Sequence, residues 1–400
     1  MLARPDRVMA SWALTLAALT TTVLGMADPH TVAVPLTKYA PGTAVEVALG
    51  ATAVLGLPAL VRLTATPRDR TIRFLATTAV FYLAYQLLVV IPYAFSAPAP
   101  SRTDALSVVL PRVVPLLAAA WVCGVGLPDL GADRIRSLVD LAAALLGLWT
   151  IVLYVTHGPV FWYEGDQARL RMIWGSSAVL LGWAIIDCLL RRRRVPATIP
   201  VLVLATVGLV LTNVRSGYLA LLVALLLQLR SGRRQRLLRL ACAAGAIVVV
   251  VALVQPDVRQ SVLYSARTVG DPMAATAQNR MTRWDLSAAY AWHHPLGDRA
   301  AVGFEFLLDP EGLTYSSHDL FMEVLVSEGL PGLVFVLLVL GAIVKLGWRY
   351  RERPDAWFFF TYLCFYVAFA LFNSTWYLAQ VQFLFALGLG GLLWAAQRES

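Results

Sequence analysis

The chain has 400 residues, 59% of them hydrophobic and 14% charged, with a formal net charge of +9. A soluble domain carries about 25% charged residues, and here the apolar residues are gathered in long blocks, so a soluble globular protein is excluded. The basic excess sits mostly in short loops between those blocks, where it acts as a topology signal and gives no reason to invoke nucleic acid.

Twelve spans are predicted, near 9–27, 41–61, 74–95, 106–127, 138–155, 172–190, 197–213, 216–229, 237–255, 329–346, 356–373 and 380–396. The fold class is therefore an all-α polytopic membrane protein of about 12 transmembrane helices. The first span has the look of a signal sequence without an A-x-A cleavage site, and it reads as an uncleaved signal anchor. The seventh and eighth spans are short and separated by "NVRSG", which fits either two spans or one re-entrant pair. The organisation divides into 1–196 (about six spans), 197–255 (spans seven to nine, with Arg215), 256–328 (a large outer loop) and 329–400 (the last spans).

Of the 33 Lys and Arg residues, 22 fall in the termini and alternate short loops, among them "RLTATPRDRTIR", "RRRR", "RSGRRQRLLR" and "WRYRERP". The positive-inside rule makes those loops and both termini cytoplasmic, in a multi-pass protein of the cytoplasmic (inner) membrane. All four cysteines lie in predicted spans without C-x-x-C spacing, which argues against a disulfide framework or a metal knot. No G-x-x-x-x-G-K-[ST], G-x-G-x-x-G or D-x-D is present, so the usual cues for ATP, dinucleotides and metal–nucleotide sugars are missing, and no cofactor or metal is expected.

Eleven basic residues break the charge rule by lying on or near the outer side: Lys38, Arg102, Arg112, Arg169, Arg171, Arg215, Arg259, Arg267, Arg280, Arg283 and Arg299. Arg215 stands between two apolar runs with no acidic residue within twenty positions, and such an Arg either snorkels to the surface or faces a cavity and holds an anion. Arg112 is flanked by prolines, and Arg171 precedes the sixth span. Five of the eleven fall in residues 256–317, the one long loop, whose Tyr264, Trp284, Trp292, Phe304 and Phe306 point to a folded lid.

Within it, "AQNRMTRWDLSAAYAWHHPLG" predicts a helix of about sixteen residues, stopped by His-Pro and Gly297. Arg280 and Trp284 share a face, with Arg283 beside them. A planar guanidinium fork suits a phosphate, and an outer-leaflet pyrophosphate is the anion expected at that depth; Asp285 and lipid headgroups are the competing partners. His318 follows where the loop meets a helix start, with Ser316 and Ser317 as candidate caps. "HDLFMEVLVSEGLPG" reads as a short amphipathic helix closed by Gly329 and restarted at Pro331. His318 is the side chain that titrates near neutrality and can take a proton from a hydroxyl, and Asp319 and Glu323 either orient it or face water.

Those residues also carry a family resemblance. "TNVRSGYLALL", "NRMTRWDLSAAYAWHHPLG" and "SSHDLFMEVLVSEGLPGL" occur in the order in which the O-antigen ligase and Wzy-type polymerase superfamily has its Ser-Arg-Gly span start, its R-x-x-x-W loop helix and its H-N-x-x-L…E-x-G-x-x-G signature. The resemblance covers about 197–396. It departs in having His318-Asp319 for His-Asn, in spreading the G-x-G after the proline into "GDRAAVG", and in lacking Pro-Asn after Arg171. It implies a GT-C-like fold and glycosyl transfer on the outer face, without metal or nucleotide. A polyprenyl-diphosphate-linked oligosaccharide is the implied donor and a glycan or lipid the acceptor, with membrane lipids as neighbours. By the same resemblance His318 is the general base, Arg215 and Arg280 hold the diphosphate, and Arg283, Trp284, Arg171, Arg112 and Asp319 contribute to binding. Ligase and polymerase are not separated by the sequence. A transporter or flippase of a lipid-linked glycan is the rival class, although the charges gather in one outer loop and no paired repeats are evident.

Overall fold

In the computed structural model the described residues are 4–27, 40–65, 69–90, 114–164, 167–170, 172–173, 175–190, 198–229, 245, 255–256, 258–260, 263, 275–297, 307–308, 314–315, 319–373 and 379–398. Helices dominate them: α1 (Arg4–Met26), α2 (Ala40–Ala65), α3 (Arg70–Tyr85), α4 (Val114–Leu130), α5 (Ala132–His157), α6 (Ser177–Leu190), α7 (Thr198–Thr212), α8 (Arg215–Leu229), α9 (Ala275–His293), α10 (Leu320–Arg349), α11 (Pro354–Ala370) and α12 (Ala379–Gln397). The all-α expectation holds for the described residues. Two short antiparallel hairpins interrupt the helices, β1 (Phe161–Glu164) with β2 (Gln167–Leu170) and β3 (Leu307–Leu308) with β4 (Thr314–Tyr315). Both lie between helices, where the backbone must satisfy its own polar groups by pairing.

Among the described residues, Val8–Met26, Arg70–Leu88, Ala132–His157 and Leu320–Arg349 are long and apolar enough to cross a membrane, and seven further apolar helices have 10–17 residues. The predicted ninth span, 237–255, lies outside the described residues apart from 245 and 255. The bundle is organised around α6, "SAVLLGWAIIDCLL", which is apolar on nearly every face and buried at every position, as a central helix must be. Trp183 on α6 meets Phe358 and Tyr362 of α11 edge-on, with ring centroids 5.0 and 4.4 Å apart. Such edge-to-face pairs add about 0.5–1.5 kcal/mol beyond the area they bury.

Side-chain contacts define two ends of the bundle. At one end Asp69 caps α3 by accepting from the Thr71 amide (2.6 Å), and its other oxygen accepts from the Tyr350 hydroxyl (2.7 Å) and pairs with Arg349 (3.1 Å) at the foot of α10. Burial alone would raise the Asp69 carboxyl, but the Tyr350 and Thr71 hydrogen bonds and the Arg349 charge outweigh it and hold it below its ordinary value. Arg136 of α5 ties in α6 and α11: both its Nε and Nη2 donate to Asp187 Oδ1, Nη1 donates to Asp355 Oδ1 (3.3 Å), and its guanidinium covers the Phe358 ring at 4.2 Å. Arg353, just before α11, donates to the last carbonyls of α12. At the other end lie the exits of α3, α5, α7 and α11 and the starts of α6, α8 and α10.

Candidate functional site

The second end is built from helix breaks. Helix α7 stops at Asn213, which has φ 43° and donates its amide to Leu209 O (3.0 Å) and Val210 O (3.1 Å). Asparagine tolerates that left-handed conformation better than most side chains, and so can close a helix without glycine. Two residues later Arg215 opens α8, half-buried, while Thr212, Asn213 and Ser216 are buried around it. Ser216 Oγ accepts from Asn373 Nδ2 (2.6 Å), which joins the start of α8 to the end of α11. At the far end of α8, Gln228 meets Thr361 and Trp357 in the first half of α11. The "NVRSG" segment is therefore a tight reversal between two oppositely directed short helices. Helix α7 packs on α5 and α6, whereas α8 packs chiefly on α11, so the two do not form a self-contained re-entrant pair. A helix N-terminus with its own Arg presents amide donors and a cation together, an arrangement suited to an anion.

The β1–β2 hairpin is drawn to the same break. Arg169 stands opposite Trp162 in the β1–β2 register, and Met172 N donates to Leu211 O (3.3 Å), close to the Asn213 turn. Arg171 and Arg112 lie outside the described residues.

The predicted loop helix is present as α9 and runs 19 residues. Arg280 falls on its second turn, with its side chain outside the described set. Arg283 and Trp284 are half-buried; Ser287 and Ala291 on the following turns are buried. That spacing marks the face by which α9 docks on α10. As expected from His-Pro and Gly297, the helix ends at His293, and Gly297 takes φ +76°. Gly297 then meets Gly329 of α10, which has φ +69°, and Leu330 N donates to Pro295 O (2.8 Å). A side chain on either glycine has no room: a Cβ on Gly329 would come within 2.3 Å of the Leu296 backbone, and one on Gly297 within 2.4 Å of the Gly329 nitrogen. This back-to-back glycine contact fixes the loop helix to α10.

Helix α10 begins nine residues before the predicted span, and at Gly329 its backbone leaves helical geometry (φ 69°, ψ −162°), so two helical segments meet there at a break, as expected from the sequence. Its cap differs from expectation. Asp319, not Ser316 or Ser317, is the N-cap, and its Oδ1 accepts from the Phe321 and Met322 amides, both at 2.9 Å. Burial raises the Asp319 carboxyl above its ordinary value, and the two amide bonds offset part of that rise. Glu323 is buried as well, so it does not simply face water. His318, the residue before the cap, lies outside the described residues.

The arrangement thus collects at one end of the bundle the Arg215 break, the Arg283–Trp284 face of α9 and the capped start of α10. Sequence reading passed over Asn213, Ser216 and Asn373, which shape the break. A polar "TN" after an apolar run was the available signal for the first of them. Among the described residues no group of three or more His, Cys, Asp or Glu is placed to hold a metal ion.

Residues 200–337 match the family model for O-antigen ligase, a segment of about a third of the chain that contains most of α7, all of α8 and α9, and α10 up to residue 337. The match supports the O-antigen ligase/Wzy superfamily that the three motifs resemble. It also supports a membrane enzyme of the O-antigen ligase/polymerase type, and that family suggests glycosyl transfer in general and implies lipid-linked glycan substrates. No curated protein matches the chain.

Proposed function

We propose that this protein transfers a glycan from a polyprenyl-diphosphate carrier to an acceptor hydroxyl on the outer face of the cytoplasmic membrane, in the manner of an O-antigen ligase or a capsule or exopolysaccharide polymerase. The observation that carries the reading is the gathering of Arg215, the Arg283–Trp284 face and the start of α10 at one end of the bundle, within the segment that matches the family. The positive-inside rule supports an outward position for that end, since the Asp69 end adjoins the basic loops. The twelve-span layout and the four-part division of the chain belong to the same proposal.

His318 takes the proton of the acceptor hydroxyl as its oxygen attacks the anomeric carbon. The bond from that carbon to the diphosphate oxygen breaks, and polyprenyl diphosphate leaves with the electron pair. Arg215 and Arg280 offset the charge that develops on the diphosphate, while Arg283, Trp284, Arg171, Arg112 and Asp319 line the approach. Each diphosphate Arg contributes at least ~2 kcal/mol to the barrier reduction. A half-buried Arg at a helix N-terminus supports the anion-holding role for Arg215. For Asp319, a carboxyl already accepting two amides supports a role in orienting the helix start rather than in direct chemistry.

Incubating the purified protein in detergent with extracted polyprenyl-diphosphate oligosaccharide, in EDTA and without nucleotide, tests the reading. The expected result is a lengthened or transferred glycan with release of polyprenyl diphosphate. Absence of transfer from every donor, together with movement of the intact donor across a vesicle membrane containing the protein, would replace this reading with transport.

A further inference from the structure

We infer that Glu328 is a positioning residue: with Tyr82 and Gln86 of α3 it locks the kink of α10 onto which the loop helix α9 is docked. The inference rests on the proposed function for what is being positioned, and on geometry alone for the lock.

Glu328 is fully buried, immediately before Gly329. Its Oε2 accepts from the Tyr82 hydroxyl at 2.5 Å and from Gln86 Nε2 at 3.2 Å, while its backbone carbonyl accepts from Tyr85 at 3.5 Å. All three partners lie on consecutive turns of one helix, and the fit on each side is specific. Helix α3 widens into a π-turn over Gln86–Val90, a rare distortion often found where a helix serves a site. Tyr82 is held in place by stacking on Phe335 of α10, with ring centroids 3.9 Å apart. Gly332 leaves the space the carboxylate occupies, since a Cβ there would lie 2.4 Å from Glu328 Cβ and 2.8 Å from Oε2. On the opposite side of the same peptide, Gly329 meets Gly297, and Leu330 N holds Pro295 O. Helix α3, the kink of α10 and the C-terminal turn of α9 therefore meet at one dipeptide, Glu328-Gly329.

The consequence is mechanical. Arg280, Arg283 and Trp284 ride on α9, and Asp319 opens α10 nine residues above Glu328. The angle at Glu328-Gly329 sets how the two are placed against each other. Met281 is twelve residues from the end of α9 at His293, a lever of about 18 Å along the helix, so a small rotation at the joint becomes a displacement of ångströms at the Arg residues. A misplacement of about 1 Å can cost up to ~10²-fold in rate. Glu328 acts through hydrogen bonds accepted by its oxygen, and a glutamine supplies an acceptor at the same place.

Spin labels at Met281 and Val344, both more than half exposed, on the full-length protein with its four cysteines replaced by alanine, measure the joint directly. Wild type and Glu328→Gln are expected to give one narrow distance distribution, and Glu328→Ala a broadened or shifted one. In the transfer assay Glu328→Ala is expected to lose about 10-fold or more in kcat, and Glu328→Gln to stay close to wild type. If Glu328→Ala does not fold, Tyr82→Phe keeps the ring stack, removes only the hydroxyl and carries the same comparison. An unchanged distance distribution in both disruptive variants would overturn the inference. So would Glu328→Gln failing in transfer with its distances intact, because the ionisable carboxyl would then matter for itself. Distances that move as expected in a protein showing no transfer from any donor would sink the proposed function and leave the joint standing.

Discussion

The two ends of the bundle solve the problem of exposed helix termini in opposite ways. At the Asp69 end, charges are paired within the protein: Asp69 with Tyr350 and Arg349, and Arg136 with Asp187 and Asp355. These contacts tie α3 to α10 and α5 to α6 and α11, and they leave the charged groups committed to one another. At the Arg215 end the same helices finish in breaks: the left-handed Asn213, the π-turn after Tyr85, and the glycine pair 297/329. Basic side chains there stand at helix starts and on a docked loop helix, where their charge can serve a ligand. One end holds the bundle together, and the other is the end to which the proposed function assigns the chemistry.

If that division is right, substitutions at the two ends separate activity from stability. The largest effect is expected for His318→Ala, a loss of about 10²–10⁴-fold in transfer rate; Arg215→Ala follows with more than ~30-fold. Both should leave thermal unfolding within about 0.5 kcal/mol of wild type, as read by detergent-solubilised melting. Asp187→Ala reverses the pattern: it removes the main partner of the buried Arg136, leaving it only Asp355, and costs up to about 3–5 kcal/mol of stability, with the rate per folded molecule unchanged. Chemical denaturation beside a transfer assay would show both halves of that contrast.

Smaller effects sharpen it. Asp319→Ala removes an N-cap and should cost about 1 kcal/mol, while Asp319→Asn, which also caps, should keep most of it. Because burial raises the Asp319 carboxyl, its ionised form is disfavoured in the folded state, and its contribution to stability falls as pH rises through that raised value. Asp69 has the opposite sign. Its carboxyl is lowered in the folded state, so its stabilising contribution is complete above the ordinary value near 3.8 and is lost as pH drops below it. Comparing the pH dependence of unfolding in Asp69→Asn and in wild type isolates that contribution; an unchanged acid limb would show that the Asp69 contacts with Tyr350 and Arg349 do not stabilise the fold.

Local features of this architecture were legible in the sequence, and long-range ones were not. Helix α9 was readable because R-x-x-x-W sets a face and His-Pro-x-Gly stops the chain, both within one element. The α7–α8 break was readable as a polar interruption of an apolar run. The cap of α10 was misplaced because two serines precede His318, whereas Asp319 accepts from two amides and caps the helix in their place. The β1–β2 hairpin had a signal in Gly165-Asp166 between "FWYE" and "QARL", but reading for apolar blocks overlooks so short a ladder. Arg136 looked like one more topology charge, since its partners lie 51 and 219 positions away. Glu328 was equally opaque: Tyr82 and Gln86 stand 246 and 242 residues earlier in the chain, and nothing local indicates that α3 lies beside it.

The division between the ends is tested most directly by the rate of polyprenyl-diphosphate release at matched amounts of folded protein, in wild type, His318→Ala, Arg215→Ala and Asp187→Ala. The account predicts that release collapses in the first two variants and persists in the third. Full release in His318→Ala and Arg215→Ala, or a loss confined to folded Asp187→Ala, would contradict it.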